Sequence, residues 1–101
     1  MSIATARQYG NLVNLFDIEG RQCGSICIGS GTFLGHCGSY LVVQYQNMIV
    51  TFDKDQNRLG STVMDERYRI TAITEGSFNA IVDNVVKVYD KHCNYIDHFT
   101  V

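Results

Sequence analysis

Proline and tryptophan are absent from this sequence of 101 residues, only 18% of the residues are charged, and the apolar residues form no long run. No window approaches the ~20 apolar residues that cross a bilayer as a helix, so we predict no association with a membrane. The formal net charge is −2, with lysine and arginine scattered along the chain. Nucleic-acid-binding domains carry a basic patch and a high pI, so we also predict no nucleic-acid partner.

The sequence does contain enough apolar material for one folded domain over residues 1–101. Hydrophobic residues make up 46% of the chain, which together with the low charge and the absence of proline excludes a disordered protein. A chain of this length removes roughly 65% of its unfolded surface from water when it folds. A modest core is therefore expected without metal ions or disulfide bonds.

The first ten residues bear on the state of the cysteines. Residues 1–10 show no charged start followed by a long apolar run, so we expect no secretory signal. Disulfide bonds are typical of exported proteins, whereas cytoplasmic proteins keep their thiols reduced. We therefore predict a cytoplasmic protein with four reduced thiols. These are Cys23, Cys27, Cys37 and Cys93.

One seven-residue pattern occurs three times. Each copy reads Asn, two apolar residues, two variable residues, an aromatic residue and Asp, and the copies span residues 11–17, 47–53 and 84–90. The spacings between copies are 36 and 37 residues. A fixed period in this range indicates repeated supersecondary units.

The second unit shows how each repeat is expected to fold. Short runs of apolar, aromatic and β-branched residues predict strands. Gln46-Asn47 predicts a tight turn, because Asn tolerates the left-handed backbone of two-residue hairpin loops. Asp53 predicts a polar turn in which its carboxylate accepts hydrogen bonds from amides two residues on. The four predicted strands are residues 40–45, 48–52, 59–64 and 68–74.

Three such units predict eleven strands. We place the units at about residues 3–38, 39–76 and 77–101, with the last unit ending after its third strand. Ser2–Gln8 also has the composition of a helix start, but its position in the repeat predicts a strand. Residues 29–38 contain four glycines, which weaken strand pairing and indicate a bulge, a binding rim or a subunit contact.

The expected architecture is all-β, with three repeated antiparallel β-meander units of period about 36. Such units resemble propeller blades, and a barrel or a two-sheet sandwich is the alternative. A propeller closes with four to eight blades, so three units need a second chain. The edge strand at residues 96–101 would also be left unpaired. We therefore predict self-association, most simply as a two-fold homodimer. The period is close to that of bacterial WG-type repeats, but their Trp-Gly pair is absent, so no family is assigned.

Two places in the sequence contain residues that could bind a metal ion. Cys23 and Cys27 are four apart on a predicted strand and should face the same side, but other units place apolar residues at these positions, which predicts core packing. Zinc binding is the alternative, with His36, Cys37, His92 and Cys93 as further possible ligands, although structural zinc sites usually carry their ligands in pairs on loops. Residues 53–57 resemble the opening of a calcium loop. Arg58 and Met64 stand where that loop requires Gly and a bidentate acid, so a hairpin turn is predicted.

Catalytic patterns are weak. His36 and Cys37 are neighbours on a predicted strand, so their side chains should point to opposite faces. Residues 29–31 lack the spacing of a phosphate-binding loop, and Asp65-Glu66 is expected in a solvent-facing turn. We predict no enzyme, no catalytic, cofactor-binding or metal site, and no cofactor.

The remaining signal is a set of six tyrosines with Asn and Gln near strand ends. Such side chains combine contact area with hydrogen bonding, although tyrosines also pack half-buried in sheets. We predict a non-catalytic binding or protein-interaction module that forms a homodimer or higher oligomer, with a protein partner as a further expectation. The alternatives are a lectin-like protein that binds a glycan or small ligand at one pocket per repeat, and an immunity-type antagonist.

Overall fold

The computed structural model describes residues 2–101, and this part of the chain forms eleven strands and no helix. The prediction of an all-β chain with eleven strands is confirmed, including a strand rather than a helix near the N-terminus. No helix in the described range has the length and apolar character required to cross a bilayer. The strands are β1 (Thr5–Tyr9), β2 (Leu12–Phe16), β3 (Gln22–Cys27), β4 (Thr32–His36), β5 (Leu41–Tyr45), β6 (Met48–Phe52), β7 (Arg58–Val63), β8 (Arg69–Ile73), β9 (Ser77–Val82), β10 (Val85–Asp90) and β11 (Tyr95–Thr100).

Within residues 2–101 the strands form three antiparallel meanders. The first sheet has the order β1-β2-β3, the second β4-β5-β6-β7 and the third β8-β9-β10-β11. We had expected β4 to close the first unit and the last unit to be the short one. Instead β4 opens the second sheet by pairing with β5, and the three-stranded sheet is the first. Gly29, with φ of +59°, and the hydrogen bond from Gly31 N to Ile28 O turn the chain away before β4 begins.

The sheets pack face to face and bury one apolar cluster between each neighbouring pair. The middle strand β5 shows this best, because Leu41, Val42 and Val43 are all fully buried although they alternate between the two faces. Leu41 and Val43 face the first sheet, and Val42 faces the third. The continuous apolar run in this strand therefore reflects a sheet covered on both sides.

Each sheet carries the same β-bulge in its last strand, which is β3, β7 or β11. In the first sheet Leu15 pairs with Gly24 and Phe16 pairs with Gln22, so Cys23 is the inserted residue. Leu59 and Ile96 are the inserted residues of the second and third sheets. An inserted residue reverses the alternation of side chains. The prediction that Cys23 and Cys27 face the same side is therefore wrong, since Cys23 packs in the core and Cys27 pairs with Leu12 on the opposite face.

The aspartate that ends each copy of the repeat caps a turn. Asp53 Oδ1 accepts hydrogen bonds from the amides of Asp55 and Asn57, both at 2.9 Å, which confirms the predicted turn. Asp17 and Asp90 bind the amides two and four residues on in the same way. The residue three after each aspartate has a positive φ. These residues are Gly20, Gln56 and Cys93.

The asparagine that begins each copy has a different role from the one expected. Asn84 has φ of +67°, as a left-handed turn position requires, but Asn11 and Asn47 are not among the described residues with positive φ. The main-chain carbonyls of all three asparagines instead accept a hydrogen bond from the amide that follows the last strand of the sheet. The donors are Ile28, Met64 and Val101, at 2.8, 3.0 and 2.8 Å. These bonds also fix which residues are equivalent in the three repeats.

Candidate interaction surface

The structure separates the residues that were weighed as metal ligands. Among residues 2–101 no group of three His, Cys, Asp or Glu side chains is placed to hold a metal ion. All four cysteines lie in this range as free thiols. Cys27 is exposed, so its predicted place in the core is wrong, whereas Cys93 is buried. Burial raises the pKa of the Cys93 thiol, which lies 3.7 Å from Thr51 Oγ1.

The candidate catalytic residues His36 and Asp65 contact main-chain or side-chain groups of nearby residues. His36 Nδ1 lies 3.1 Å from the main-chain carbonyl of Cys37. The carboxylate of Asp65 accepts a hydrogen bond from the amide of Arg67 at 3.0 Å and pairs with its guanidinium. The hydrogen bond from that amide lowers the pKa of Asp65. These contacts stabilise turns.

The outer face of the third sheet carries apolar side chains that belong to neither of the two clusters in residues 2–101. Cross-strand pairing places Ile81, Val86 and Phe99 in one row and Val88 in the next, on the side opposite Phe78 and the cluster shared with the second sheet. Ile96 and Val101 extend this surface at either end. We call the six residues Ile81, Val86, Val88, Ile96, Phe99 and Val101 the terminal face.

Equivalent positions of the repeat show what distinguishes the terminal face. Ile28 and Met64 follow the last strands of the first and second sheets. Only 1% and 0% of their surface is exposed, because the next sheet covers them. Val101, the third member of this set, is 74% exposed. The inserted bulge residues behave likewise. Cys23 and Leu59 pack against the clusters, whereas Ile96 is 55% exposed.

A glycine in the last strand of the first sheet, and another in the last strand of the second, allows each pair of neighbouring sheets to approach closely. A Cβ added at Gly24 would lie 2.9 Å from the carbonyl of Lys54 in the next sheet, and one added at Gly60 would overlap with His92. The equivalent residue of the third sheet is Asp97, which pairs with Val88 as Gly60 pairs with Thr51. A further repeat in the same register would bring its turn against the Asp97 side chain, where the two inner interfaces have glycine.

The opposite end of the stack is polar where the inner sheets are apolar. Leu41, Val43 and Val50 of the second sheet are buried against the first. The equivalent residues on the outer face of the first sheet are Thr5, Arg7 and Asn14. The guanidinium of Arg7 lies over the ring of Tyr9, 5.7 Å from its centroid. The first sheet therefore ends the stack with a face adapted to water, and the third sheet does not.

An open groove of about 460 Å³ is lined by hydroxyl, amide and carboxylate groups. It lies beside the β5–β6 turn, and the Tyr45 hydroxyl donates a 2.7 Å hydrogen bond to the Ile28 carbonyl. The residues at 44–46 are Gln, Tyr and Gln, whereas the third repeat has Ile, Val and Asp at the equivalent positions. The third repeat therefore lacks these lining residues, whereas the first keeps Gln8 and Tyr9, and a lectin-like protein with one pocket per repeat stays a prediction. Its lining residues are Ser30, Thr32, Gln44, Tyr45, Gln46 and Glu66.

Comparisons with protein-family models, with curated proteins and with solved structures found no match for this chain. The terminal face was not predicted from the sequence, although its signal is present in the repeat. Aligning the three copies shows Gly24, Gly60 and then Asp97. The change from glycine to Asp97 distinguishes the third sheet from the other two. Its structural consequence is visible only because a turn of the next sheet packs on Gly24 and on Gly60.

Proposed function

We propose that this protein is a non-catalytic protein-interaction module that self-associates through its terminal face. The observation that carries the proposal is the exposure of Val101, at 74%, where the other two sheets fully bury Ile28 and Met64, together with that of Ile96, where Cys23 and Leu59 are partly buried. Burying apolar surface is the main driving force of protein association. Contiguous exposed apolar surface rimmed by polar residues is typical of interaction sites.

The arrangement of side chains supports this choice of surface. Val86 and Phe99 are directly paired on neighbouring strands, so the exposed ring of Phe99 adjoins Val86, which is itself only 8% exposed. Phe99 is 52% exposed and supplies the aromatic area that commonly dominates association energies. The polar residues Arg69, Asn79 and Asp97 lie around these apolar side chains.

A non-catalytic role is proposed because His36 and Asp65, the histidine and the acid of the candidate patterns, are held in contacts with the main chain. Thr51 Oγ1 donates a 2.6 Å hydrogen bond to the Lys91 carbonyl and lies beside Cys93. The free thiols also fit a reducing compartment, and we propose the cytoplasm as the location.

The experiment measures molar mass by light scattering over a range of protein concentrations. The chain has a mass of 11.4 kDa, and we expect the mass to rise toward twice that value with concentration. Phe99→Asn should keep the mass at one chain. Val63→Asn is the matched control, because Val63 is 79% exposed but lies outside the terminal face. A wild-type mass of one chain at every concentration, or equal effects of both variants, would contradict the proposal.

A further inference from the structure

The terminal face carries one positive and one negative side chain on its two edge strands. The third sheet has the order β8-β9-β10-β11, with Arg69 on β8 and Asp97 on β11. Both side chains are exposed. Within the described residues of one chain neither of them belongs to an ion pair. The apolar residues Ile81 and Val86 lie between them on the two central strands.

Register places the two charges in neighbouring rows. Arg69 stands in the row of Ile81, whereas Asp97 stands in the row of Val88. Adjacent rows on one face are two residues apart along the strand, about 7 Å. The position on β8 in the row of Asp97 is Ala72, whose small side chain leaves space there. A long arginine side chain spans this offset.

We infer that the terminal face is occupied by the same face of a second copy, related by a two-fold axis that runs along the strands between β9 and β10. This inference rests on the proposed self-association and specifies its geometry. The axis lays β8 of each chain over β11 of its partner, so Arg69 approaches Asp97 of the other chain at both edges. The two apolar centres meet in the middle, as in a sandwich of two sheets.

Other arrangements of two copies bring unfavourable contacts. A two-fold axis across the strands lays each strand over its own copy, so that Arg69 meets Arg69 and Asp97 meets Asp97. Like charges placed opposite each other disfavour a complex. A head-to-tail contact would press the polar outer face of the first sheet, with Arg7 and Asn14, against the terminal face. It would also place a turn on Asp97, where the inner sheets have glycine.

The two charged pairs lie at the rim, where they select the orientation more than they add affinity. The apolar centre supplies the affinity. Charge reversal therefore tests the geometry separately from the association itself. Arg69→Asp makes both edges of the face negative, and Asp97→Arg makes both edges positive. Both residues are exposed, so both variants should retain the wild-type melting temperature when it is measured at a dilution where the wild type is also a single chain.

The experiment compares the two variants alone, mixed, and combined in one chain, using light scattering at a concentration where the wild type is dimeric. Arg69→Asp alone and Asp97→Arg alone should each show the mass of one chain. Their equimolar mixture should form a heterodimer, because both edges then pair opposite charges. The chain that carries both substitutions should dimerise like the wild type, and high salt should reduce the difference between single variants and wild type.

Three results would overturn the inference. If both single variants dimerise like the wild type while Phe99→Asn does not, the face is used in another geometry and the proposed function stands. If the mixture and the double variant remain single chains, the edges do not pair across the interface. A wild-type mass that grows beyond two chains would show head-to-tail assembly. A wild type that stays a single chain would instead contradict the proposed function itself.

Discussion

The main-chain carbonyl of His92 occupies the space into which a side chain at Gly60 would project. The turn after β10 therefore lies directly on β7 of the neighbouring sheet, and Gly24 receives the turn of Lys54 in the same way. The neighbouring Thr51 hydroxyl donates its hydrogen bond to Lys91 in that turn. The stack is thus held by an apolar cluster and by a turn that fits against a glycine.

Gly60→Ala should destabilise the protein because the added methyl group overlaps with main-chain atoms, which cannot move aside as a flexible side chain can. Overpacking of this kind costs about 1–3 kcal/mol. Gly76→Ala is the control, since a Cβ at Gly76 meets open space and its φ is not in the left-handed region. Urea unfolding monitored by circular dichroism measures both. Equal stabilities for the two variants would contradict the close approach.

Tyr40→Phe should lower the stability by about 1 kcal/mol, the usual contribution of a hydrogen bond. The Tyr40 hydroxyl donates a bond shared between the carbonyls of Thr74 (2.7 Å) and Ser77 (2.9 Å). Burial raises the pKa of Tyr40, so the hydroxyl stays a donor across the neutral range. Tyr9→Phe, at an exposed tyrosine, should change the free energy of unfolding by only a few tenths of that value. A loss for Tyr9→Phe as large as that for Tyr40→Phe would show that the shared bond is not what stabilises the turn.

The four thiols should react with a thiol reagent at different rates. Cys27 is exposed and should react first, whereas Cys93 is buried and its pKa is raised by that burial. A raised pKa leaves less thiolate at a given pH, and the thiolate is the reactive form. Cys93 should therefore react only as the protein unfolds. Mass spectrometry of partly labelled protein assigns the order, and removal of the fast phase by Cys27→Ser is the control. Fast labelling of Cys93 would contradict its burial.

Acid should weaken the turn at Asp90. The hydrogen bond from the Asn94 amide lowers the pKa of Asp90 below its value in the unfolded chain. A carboxylate with a lowered folded-state pKa contributes stability above the unfolded pKa and loses it as the pH falls through the folded pKa. Asp90→Asn should therefore be less stable than wild type at neutral pH, with the difference shrinking in acid.

Unfolding curves at several pH values measure this difference. Asp55→Asn serves as the control, because its carboxylate lies on the surface beside Lys54. We expect that variant to show a smaller loss at neutral pH than Asp90→Asn. A constant difference between wild type and Asp90→Asn at all pH values would show that the charge of Asp90 does not stabilise the turn.

The repeat allowed much of the fold to be predicted. The turns at Asp17, Asp53 and Asp90 follow from side-chain chemistry within five residues, so local sequence determines them. The bulge at Cys23 was not predicted, because an inserted apolar residue continues an apolar run and leaves no visible break in alternation. The pairing of β4 with β5 was missed for a related reason. A strand's partner depends on which edge is free, and the sequence period is the same for either grouping.

The interaction surface was less accessible to sequence reasoning. Ile96 and Val101 look like core residues because they align with Leu59, which packs partly buried against a cluster, and with Met64, which is fully buried. The structure shows that their position in the last sheet, rather than their chemistry, leaves them exposed. The replacement of glycine by Asp97 could be read in the alignment of the copies. Its consequence required the knowledge that a turn packs on each of the other two glycines.

The most direct test of the account follows the amide chemical shifts of the protein by NMR during dilution. We predict that shifts of the terminal face, such as those of Val88, Phe99 and Val101, change with concentration. Those of Thr5, Arg7 and Asn14 on the opposite end should stay constant. Shifts that do not depend on concentration anywhere, or changes located on the first sheet, would contradict the claim that another chain covers the third sheet.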